Sequence, residues 1–66
     1  MATIRLKEVA EARGFDISKL SRKADVSYRT TWKLWNNPDA NVSLEVLSKF
    51  AFALGVNVAD LIDEGG

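Results

Sequence analysis

The sequence contains neither cysteine nor histidine. Without cysteine the chain has no disulfide framework and no thiolate for a metal. Without histidine it lacks the commonest zinc ligand and the usual general base. It also has no glycine-rich phosphate loop and no nucleophile beside a base, and so short a chain leaves little room for a pocket. We therefore expect no enzyme activity, no cofactor, no metal site and no small-molecule ligand.

Long apolar runs are also missing. No stretch approaches the roughly 18 residues that a membrane span requires, and the start, MATIRLKEV, has no apolar signal-peptide region. We therefore expect a cytoplasmic protein without a membrane partner, associated with the nucleoid if it binds DNA. The 66 residues predict a single domain over residues 1–66, and a domain this small buries only about 60% of its unfolded surface.

Charge is present but unevenly distributed. Residues 1–35 carry eight basic and four acidic side chains, and residues 36–66 carry one basic and five acidic. The halves thus have net charges of +4 (8 − 4) and −4 (1 − 5), although the whole chain is neutral. This asymmetry can give a neutral protein one positive face directed toward phosphate. The alternative is that the two halves form ordinary solvated surfaces, which would give the same numbers of basic and acidic residues.

Apolar residues at helical spacing, separated by capping residues and glycines, predict four or five short helices and no strand. Helix one is predicted from Thr3 to Arg13 and is followed by Phe15 in the core. Helix two covers Ile17–Ala24 after an Asp16 N-cap, and helix three begins after Ser27 and ends near Trp35 or Asn36. The predicted fold class is therefore all-α, a compact bundle.

The second half of the chain continues the pattern. The loop NNPDANV contains the only proline. Ser43 then caps helix four, which ends at Gly55 and whose predicted apolar stripe is Leu44, Leu47, Phe50, Ala51 and Leu54. Asn57 caps a last short helix containing Val58, Leu61 and Ile62, with Asp60 in the capping-box position. The tail, residues 63–66, is expected to fray.

Only three or four residues join helices two and three, so the two helices must cross steeply with small or apolar side chains at the contact. This spacing, followed by the segment SLEVLSKFAFALGVNVADLI, resembles the Cro and lambda-repressor family, also called the xenobiotic-response-element family. The resemblance covers roughly Ile4 to Ile62 and implies a DNA-binding helix-turn-helix at residues 17–36. One departure is Asp25, at a turn position where the family usually has glycine.

Helix three contains both tryptophans, and at about 100° per residue they point in different directions. Trp35 shares a side with Leu34 and is predicted to pack in the core, toward helix four or the NNPD loop; a contact along the DNA backbone is its alternative. Trp32 lies on the opposite, outer side. The resemblance implies that this outer side enters the major groove, and the base-contact candidates are Tyr28, Arg29, Trp32, Lys33 and Asn36.

Within this set, Arg29 suits guanine O6 and N7, and Trp32 suits a thymine methyl group. Lys33 suits a base or a phosphate, and the Tyr28 hydroxyl also suits a phosphate. The phosphate-contact candidates are Lys19, Arg22, Lys23, Ser27 and Thr30. Solvated surface charge is the alternative for Arg29, Lys33 and the cations of helix two.

Phe52 lies off the apolar stripe of helix four. It is expected either to pack against helix one or the last helix, or to form a homodimer contact. Dimers suit this family, because two half-sites one helical turn apart gain area and specificity.

The predicted function is therefore sequence-specific binding of a double-stranded DNA operator, by a transcriptional regulator that acts as a repressor. An antitoxin that represses its own operon is a close variant. From another class, the chain could be a protein-interaction module in which Tyr28, Trp32 and Trp35 anchor a partner, since tryptophan and tyrosine favour interface hot spots.

Overall fold

Four α-helices account for most of the fold. The computed structural model describes residues 3–37 and 42–63. The helices are α1 (Leu6–Ala12), α2 (Ile17–Ala24), α3 (Tyr28–Asn36) and α4 (Leu44–Leu54), followed by a 3₁₀ helix (Val58–Leu61). Two strands of two residues each, β1 (Thr3–Ile4) and β2 (Ile62–Asp63), pair antiparallel. The predicted all-α fold is confirmed, and the sheet is a minor addition. None of the helices in these two ranges is both long and apolar enough to cross a membrane.

Side-chain caps fix the start of three helices. The backbone N–H of Lys19 donates to Asp16 Oδ1 at 2.7 Å, and that of Thr30 donates to Ser27 Oγ at 3.2 Å. Ser43 Oγ likewise accepts the N–H of Val46 at 3.2 Å. Each cap satisfies a backbone donor that the first helical turn leaves without a partner. The predicted starts of α2, α3 and α4 are confirmed.

Left-handed residues end two helices. Asp25 follows α2 with φ 56° and ψ 43°, and Gly55 follows α4 with φ 71° and ψ 32°. At Gly55 the absence of a Cβ makes this conformation accessible. Asp25 is the one non-glycine residue with positive φ among those described, which places steric strain at the α2–α3 connection.

The core lies where α2, α4 and the 3₁₀ helix meet α1 and α3. Its fully buried side chains include Leu6, Leu20, Phe50 and Leu61. Thr31 is also fully buried, and its hydroxyl donates to the Ser27 carbonyl at 3.0 Å. Phe15 and Trp35 are half-buried against this core. Helix α3 is thereby held along one side only.

The two chain ends differ from the prediction. Helix α1 begins at Leu6 rather than Thr3, because Thr3 and Ile4 pair with Asp63 and Ile62. The N–H of Arg5 adds a bond to the Leu61 carbonyl at 2.7 Å. Prediction of a helix at Thr3 and Ile4 was therefore wrong, because the strand depends on a partner segment about sixty residues away.

The last helix is also shorter than predicted. It is a 3₁₀ helix that ends at Leu61, so Ile62 belongs to β2 and Asp63 is paired rather than frayed. Residues 64–66 of the predicted tail and residues 38–41 of the predicted loop lie outside the described residues. The capping interaction at Asn57 is confirmed, since its N–H donates to Asp60 Oδ2 at 3.0 Å.

Candidate nucleic-acid interface

A three-residue connection, Asp25–Ser27, sets the angle between α2 and α3. The N–H of Val26 donates to the Ser21 carbonyl at 3.0 Å, which closes the end of α2. Ser27 then caps α3. Because α2 packs on both α3 and α4, the buried side of α3 is fixed by Thr31 and Leu34. The opposite side of α3 faces outward.

This outward side, hereafter the α3 face, consists of five exposed residues: Tyr28, Arg29, Trp32, Lys33 and Asn36. Its two aromatic side chains are each about half exposed, Tyr28 at 53% and Trp32 at 52%. The last four residues follow the i, i+3, i+4, i+7 spacing that places side chains on one stripe of a helix. The structure therefore brings all five base-contact candidates together, while their role stays a prediction.

Positive charge is concentrated on helices α2 and α3. Neither α2 nor α3 contains an acidic residue. Together the two helices contain five exposed cations, namely Lys19, Arg22, Lys23, Arg29 and Lys33. The one salt bridge among residues 3–37 and 42–63 joins Arg5 to Glu8 at 3.0 Å. None of the five cations is therefore neutralised by a carboxylate within the described part of the chain. Such a surface attracts phosphate.

The arginine–glutamate pair lies elsewhere, on the first turn of α1. A bidentate contact joins Arg5 Nε and Nη2 to the Glu8 carboxylate at 3.2 and 3.0 Å. The hydrogen bond from Arg5, and then its charge, lower the pKa of Glu8, and the same contact raises the pKa of Arg5. This pair stabilises α1 locally and leaves the charge of α2 and α3 unchanged.

The hydroxyls at the start of α3 are already arranged by the cap. Ser27 Oγ donates to Thr30 Oγ1 at 2.9 Å while accepting the Thr30 N–H. The Ser27 hydroxyl is therefore used inside the helix start, whereas Thr30 keeps its own hydroxyl hydrogen for an outside acceptor. Of the two hydroxyl-bearing residues among the phosphate-contact candidates, Ser27 and Thr30, Thr30 is therefore the better placed to donate to a phosphate.

Asn36 is partly engaged at the other end of α3. Its Nδ2 donates to the Trp32 carbonyl, one turn back along the helix, at 3.0 Å. The amide oxygen and the second N–H remain for a base or phosphate. To contact a base, Asn36 therefore either uses only its amide oxygen and its second N–H or breaks its hydrogen bond to the Trp32 carbonyl.

The three cations of α2 have different surroundings. Lys19 Nζ lies 5.7 Å from the centre of the Phe15 ring, a cation–π distance. Lys23 borders a shallow depression formed with α4 residues, among them Phe52. Arg22 has neither neighbour. The three phosphate-contact candidates of α2 thus have different neighbours, and their role stays a prediction.

Trp35 packs against the core as predicted. The groove that it borders, however, is formed with α1, β1 and Asp63 rather than with α4. Lys7 and Glu11 of α1 form part of that wall. The predicted direction toward helix four or the NNPD loop stays a prediction, and residues 38 and 39 of that loop lie outside the described part of the chain.

Two apolar residues of α4 are not where the sequence predicts. Phe52 is 90% exposed, so the expected packing against helix one or the last helix was wrong. Leu44, predicted on the buried stripe, is 68% exposed because it occupies the first position of α4, beyond the core. The homodimer interpretation of Phe52 stays a prediction.

Comparison with known proteins agrees with the geometry. The family model for the Cro/C1-type HTH DNA-binding domain matches residues 5–63. No curated protein matches the chain in sequence. The match covers both helices of the α2–α3 pair and every candidate contact residue, and it confirms the resemblance found in the sequence.

Proposed function

This chain belongs to the Cro/C1-type helix-turn-helix family of DNA-binding domains, and on that premise we propose that it binds one specific sequence of double-stranded DNA and represses transcription there. The observation that carries this proposal is the α3 face, where exposed cations without carboxylate partners flank a half-exposed tryptophan. Occupying an operator requires binding alone, so the proposed activity involves no catalysis, cofactor or small-molecule ligand. The proposed place of action is nucleoid DNA in the cytoplasm.

We propose a division of roles between the two helices. In α3, Arg29 reads a guanine through two hydrogen bonds, and Trp32 covers a neighbouring thymine methyl group. One good bidentate pair is worth about 1–3 kcal/mol of discrimination against the wrong base. In α2, Arg22 and its neighbouring lysines contact phosphates, which fixes the position of α3 in the groove without reading sequence.

The test passes the protein over a pool of randomised duplex DNA at low salt and sequences the retained fraction. Enrichment of a short motif supports sequence-specific binding. Retention without enrichment, abolished by moderate salt, would reduce the proposal to non-specific binding, and no retention would refute it.

A pair of charge-matched variants then assigns the reading. Arg29→Ala removes the proposed guanine contact, whereas Arg13→Ala removes the same charge from the end of α1, next to Val56 and Asp60 and away from α3. We expect Arg29→Ala to weaken binding to the selected motif about tenfold or more and to relax the preference at one base position. Arg13→Ala should change affinity only slightly. Equal effects of the two variants would contradict base reading by Arg29.

The half-exposed Tyr28 and Trp32 also favour a second candidate, a protein-interaction module. Aromatic side chains of this kind form hot spots in protein interfaces, and an antitoxin could use both properties. The salt dependence separates the two classes, because DNA binding falls steeply with salt while an aromatic protein contact does not.

A further inference from the structure

Two aromatic side chains lie one turn apart on the exposed surface of α3. Tyr28 is 53% exposed and Trp32 is 52% exposed. Four residues separate them, so their side chains lie on the same side of the helix, about 6 Å apart along its axis. We call Tyr28 and Trp32 the aromatic row. About half of the surface of each side chain is open to a partner.

A row of cations with the same spacing runs beside the aromatic row. Arg29 follows Tyr28 by one residue, and Lys33 follows Trp32 by one residue. Each cation therefore lies about 100° around the helix from the ring that precedes it. Both cations are exposed, and we call them the cation row. The two rows run parallel along the helix, and each ring has a cation at the same offset.

The side chains of both rows are available to a partner. Within the described part of the chain, the one salt bridge lies on α1, and the one cation–π contact joins Lys19 to Phe15. The hydrogen bond from Asn36 uses the backbone carbonyl of Trp32 and does not involve its indole ring. Rings and cations therefore face outward together, and no carboxylate of the described residues pairs with these cations.

Parallel rows of rings and cations match an unpaired nucleic-acid strand, which consists of a row of bases beside a row of phosphates. From this match we infer that the α3 face also binds single-stranded nucleic acid, with bases stacked on the aromatic row and phosphates on the cation row. Proteins that bind single strands without reading their sequence combine aromatic stacking with positive charge in this way. This inference goes beyond the proposed binding of a duplex operator and does not depend on it.

The spacing of the rings fits a single strand and not the stack of a duplex. Neighbouring bases of a duplex strand are about 3.4 Å apart and cover each other's faces. The two rings, about 6 Å apart along the helix, require bases that are separated and turned outward, as they are when proteins bind single strands. A duplex presents only base edges in its grooves. It therefore uses the Trp32 ring as an apolar surface and not for stacking.

The test titrates the full chain into labelled oligo(dT) at low salt and follows fluorescence anisotropy. A length of about 12 nucleotides lies within the site sizes of single-strand binding modules. We expect saturable binding whose logarithm falls with that of salt at a slope near −1.4, about −0.7 for each of two phosphates. Oligo(U) of the same length should bind with similar affinity, because the contact uses bases and phosphates and not the 2′-hydroxyl. No binding at low salt, or binding of only one of the two strands, would overturn the inference.

Variants at Trp32 separate stacking from charge. Trp32→Leu keeps an apolar side chain but loses the aromatic face, so it should weaken single-strand binding at least about fivefold. Trp32→Phe keeps an aromatic ring and should bind nearly as well as wild type. Phe52→Leu is the matched control, since it replaces an aromatic residue that is 90% exposed on α4 and should leave binding unchanged. A Trp32→Leu chain that binds like wild type, or a Phe52→Leu chain weakened to the same extent, would overturn the inference.

Tryptophan fluorescence provides a second measurement on the same proteins. We expect oligo(dT) to quench the emission of the wild-type chain, because a base stacks on the Trp32 ring. The emission of Trp32→Phe comes from Trp35 alone and should stay largely unchanged even when the strand is bound. Equal quenching of the two proteins would show that no base stacks on Trp32 and would overturn the inference.

A comparison with duplex DNA distinguishes failure of this inference from failure of the operator proposal. Leucine can still cover a thymine methyl group, so Trp32→Leu should keep most of its affinity for the selected duplex motif while it loses single-strand binding. Equal losses on duplex and single strand would show that Trp32 acts only as an apolar surface, which would overturn the inference. A chain that selects no duplex motif would refute the operator proposal, and its binding to oligo(dT) would still decide this one.

Discussion

Replacing Asp25 with glycine should stabilise the fold. Asp25 ends α2 with φ 56° and ψ 43°, in the left-handed region, and it is the one non-glycine residue there among those described. An L-residue in this region pays about 1–2 kcal/mol, somewhat less for aspartate. Glycine removes that strain but gains freedom in the unfolded chain, which offsets about 0.4–1 kcal/mol.

Charge adds to the expected gain. Asp25 places a carboxylate at the negative end of α2, an unfavourable position for an anion that costs about 0.3–1 kcal/mol. The side chain is exposed, and the hydrogen bond at this position comes from the backbone N–H, which donates to the Arg22 carbonyl at 3.3 Å and is retained in glycine. The net expectation for Asp25→Gly is a gain of about 1 kcal/mol.

Thermal unfolding followed by circular dichroism measures this gain. For a domain of this size, 1 kcal/mol corresponds to a rise in Tm of about 4–8 °C. Two controls separate charge from backbone: Asp25→Asn removes the charge but keeps a side chain that tolerates the left-handed region, and Asp25→Ala removes the charge but keeps the Cβ strain. We expect glycine to be the most stable, with asparagine above aspartate and above alanine. An alanine variant as stable as glycine would refute the role of backbone strain.

Three further predictions concern the core, the charged surface and pH. Phe50→Ala should cost about 3–5 kcal/mol of stability and largely unfold the domain, because the Phe50 ring is fully buried. Phe52→Ala should change monomer stability by less than about 0.5 kcal/mol, because the Phe52 ring is 90% exposed. Urea unfolding of dilute protein compares the two variants, and similar losses of stability would contradict the difference in burial. If the four cations of α2 and α3 other than Arg29 each neutralise one phosphate, the logarithm of DNA affinity should fall with the logarithm of salt at a slope near −3.6 per monomer (about −0.9 for each phosphate). Titrating labelled duplex at several salt concentrations gives the slope, and a value near zero would exclude phosphate contact. Arg5 lowers the pKa of Glu8 in the folded state. Their contact therefore stabilises the fold at pH values above the unfolded pKa of about 4.3, and this stabilisation is lost as pH falls through the lowered folded pKa. The small Tm difference between wild type and Glu8→Gln at pH 7 should vanish in acid, and a difference that persists in acid would show that the Glu8 charge is not the source of the difference.

The candidate contact residues show how far the sequence predicts the site. Periodicity alone separates the outer side of α3, with Arg29 and Trp32, from the inner side with Thr31, because both sides belong to one regular helix. It does not show that Asn36 donates to the Trp32 carbonyl or that Lys23 faces the α4 depression. Those details depend on rotamers and on the neighbouring helix.

By itself, the sequence determined the helices of the central region. Asp16, Ser27, Ser43 and Gly55 act through bonds and backbone angles within a few residues, so the beginnings of α2, α3 and α4 and the end of α4 are local properties. The resemblance to a DNA-binding family depends on the same local order of helices and a short turn. It could therefore be read without a tertiary structure.

Only the tertiary structure decided what depends on distant partners. Thr3 and Ile4 form a strand because Ile62 and Asp63, some sixty residues away, are brought beside them. Trp35 borders α1, and Phe52 is left 90% exposed, because the packing angles of whole helices determine which faces are covered. Hydrophobicity shows that a side chain would gain from burial, but only the arrangement of the other helices decides whether the domain itself provides the covering surface.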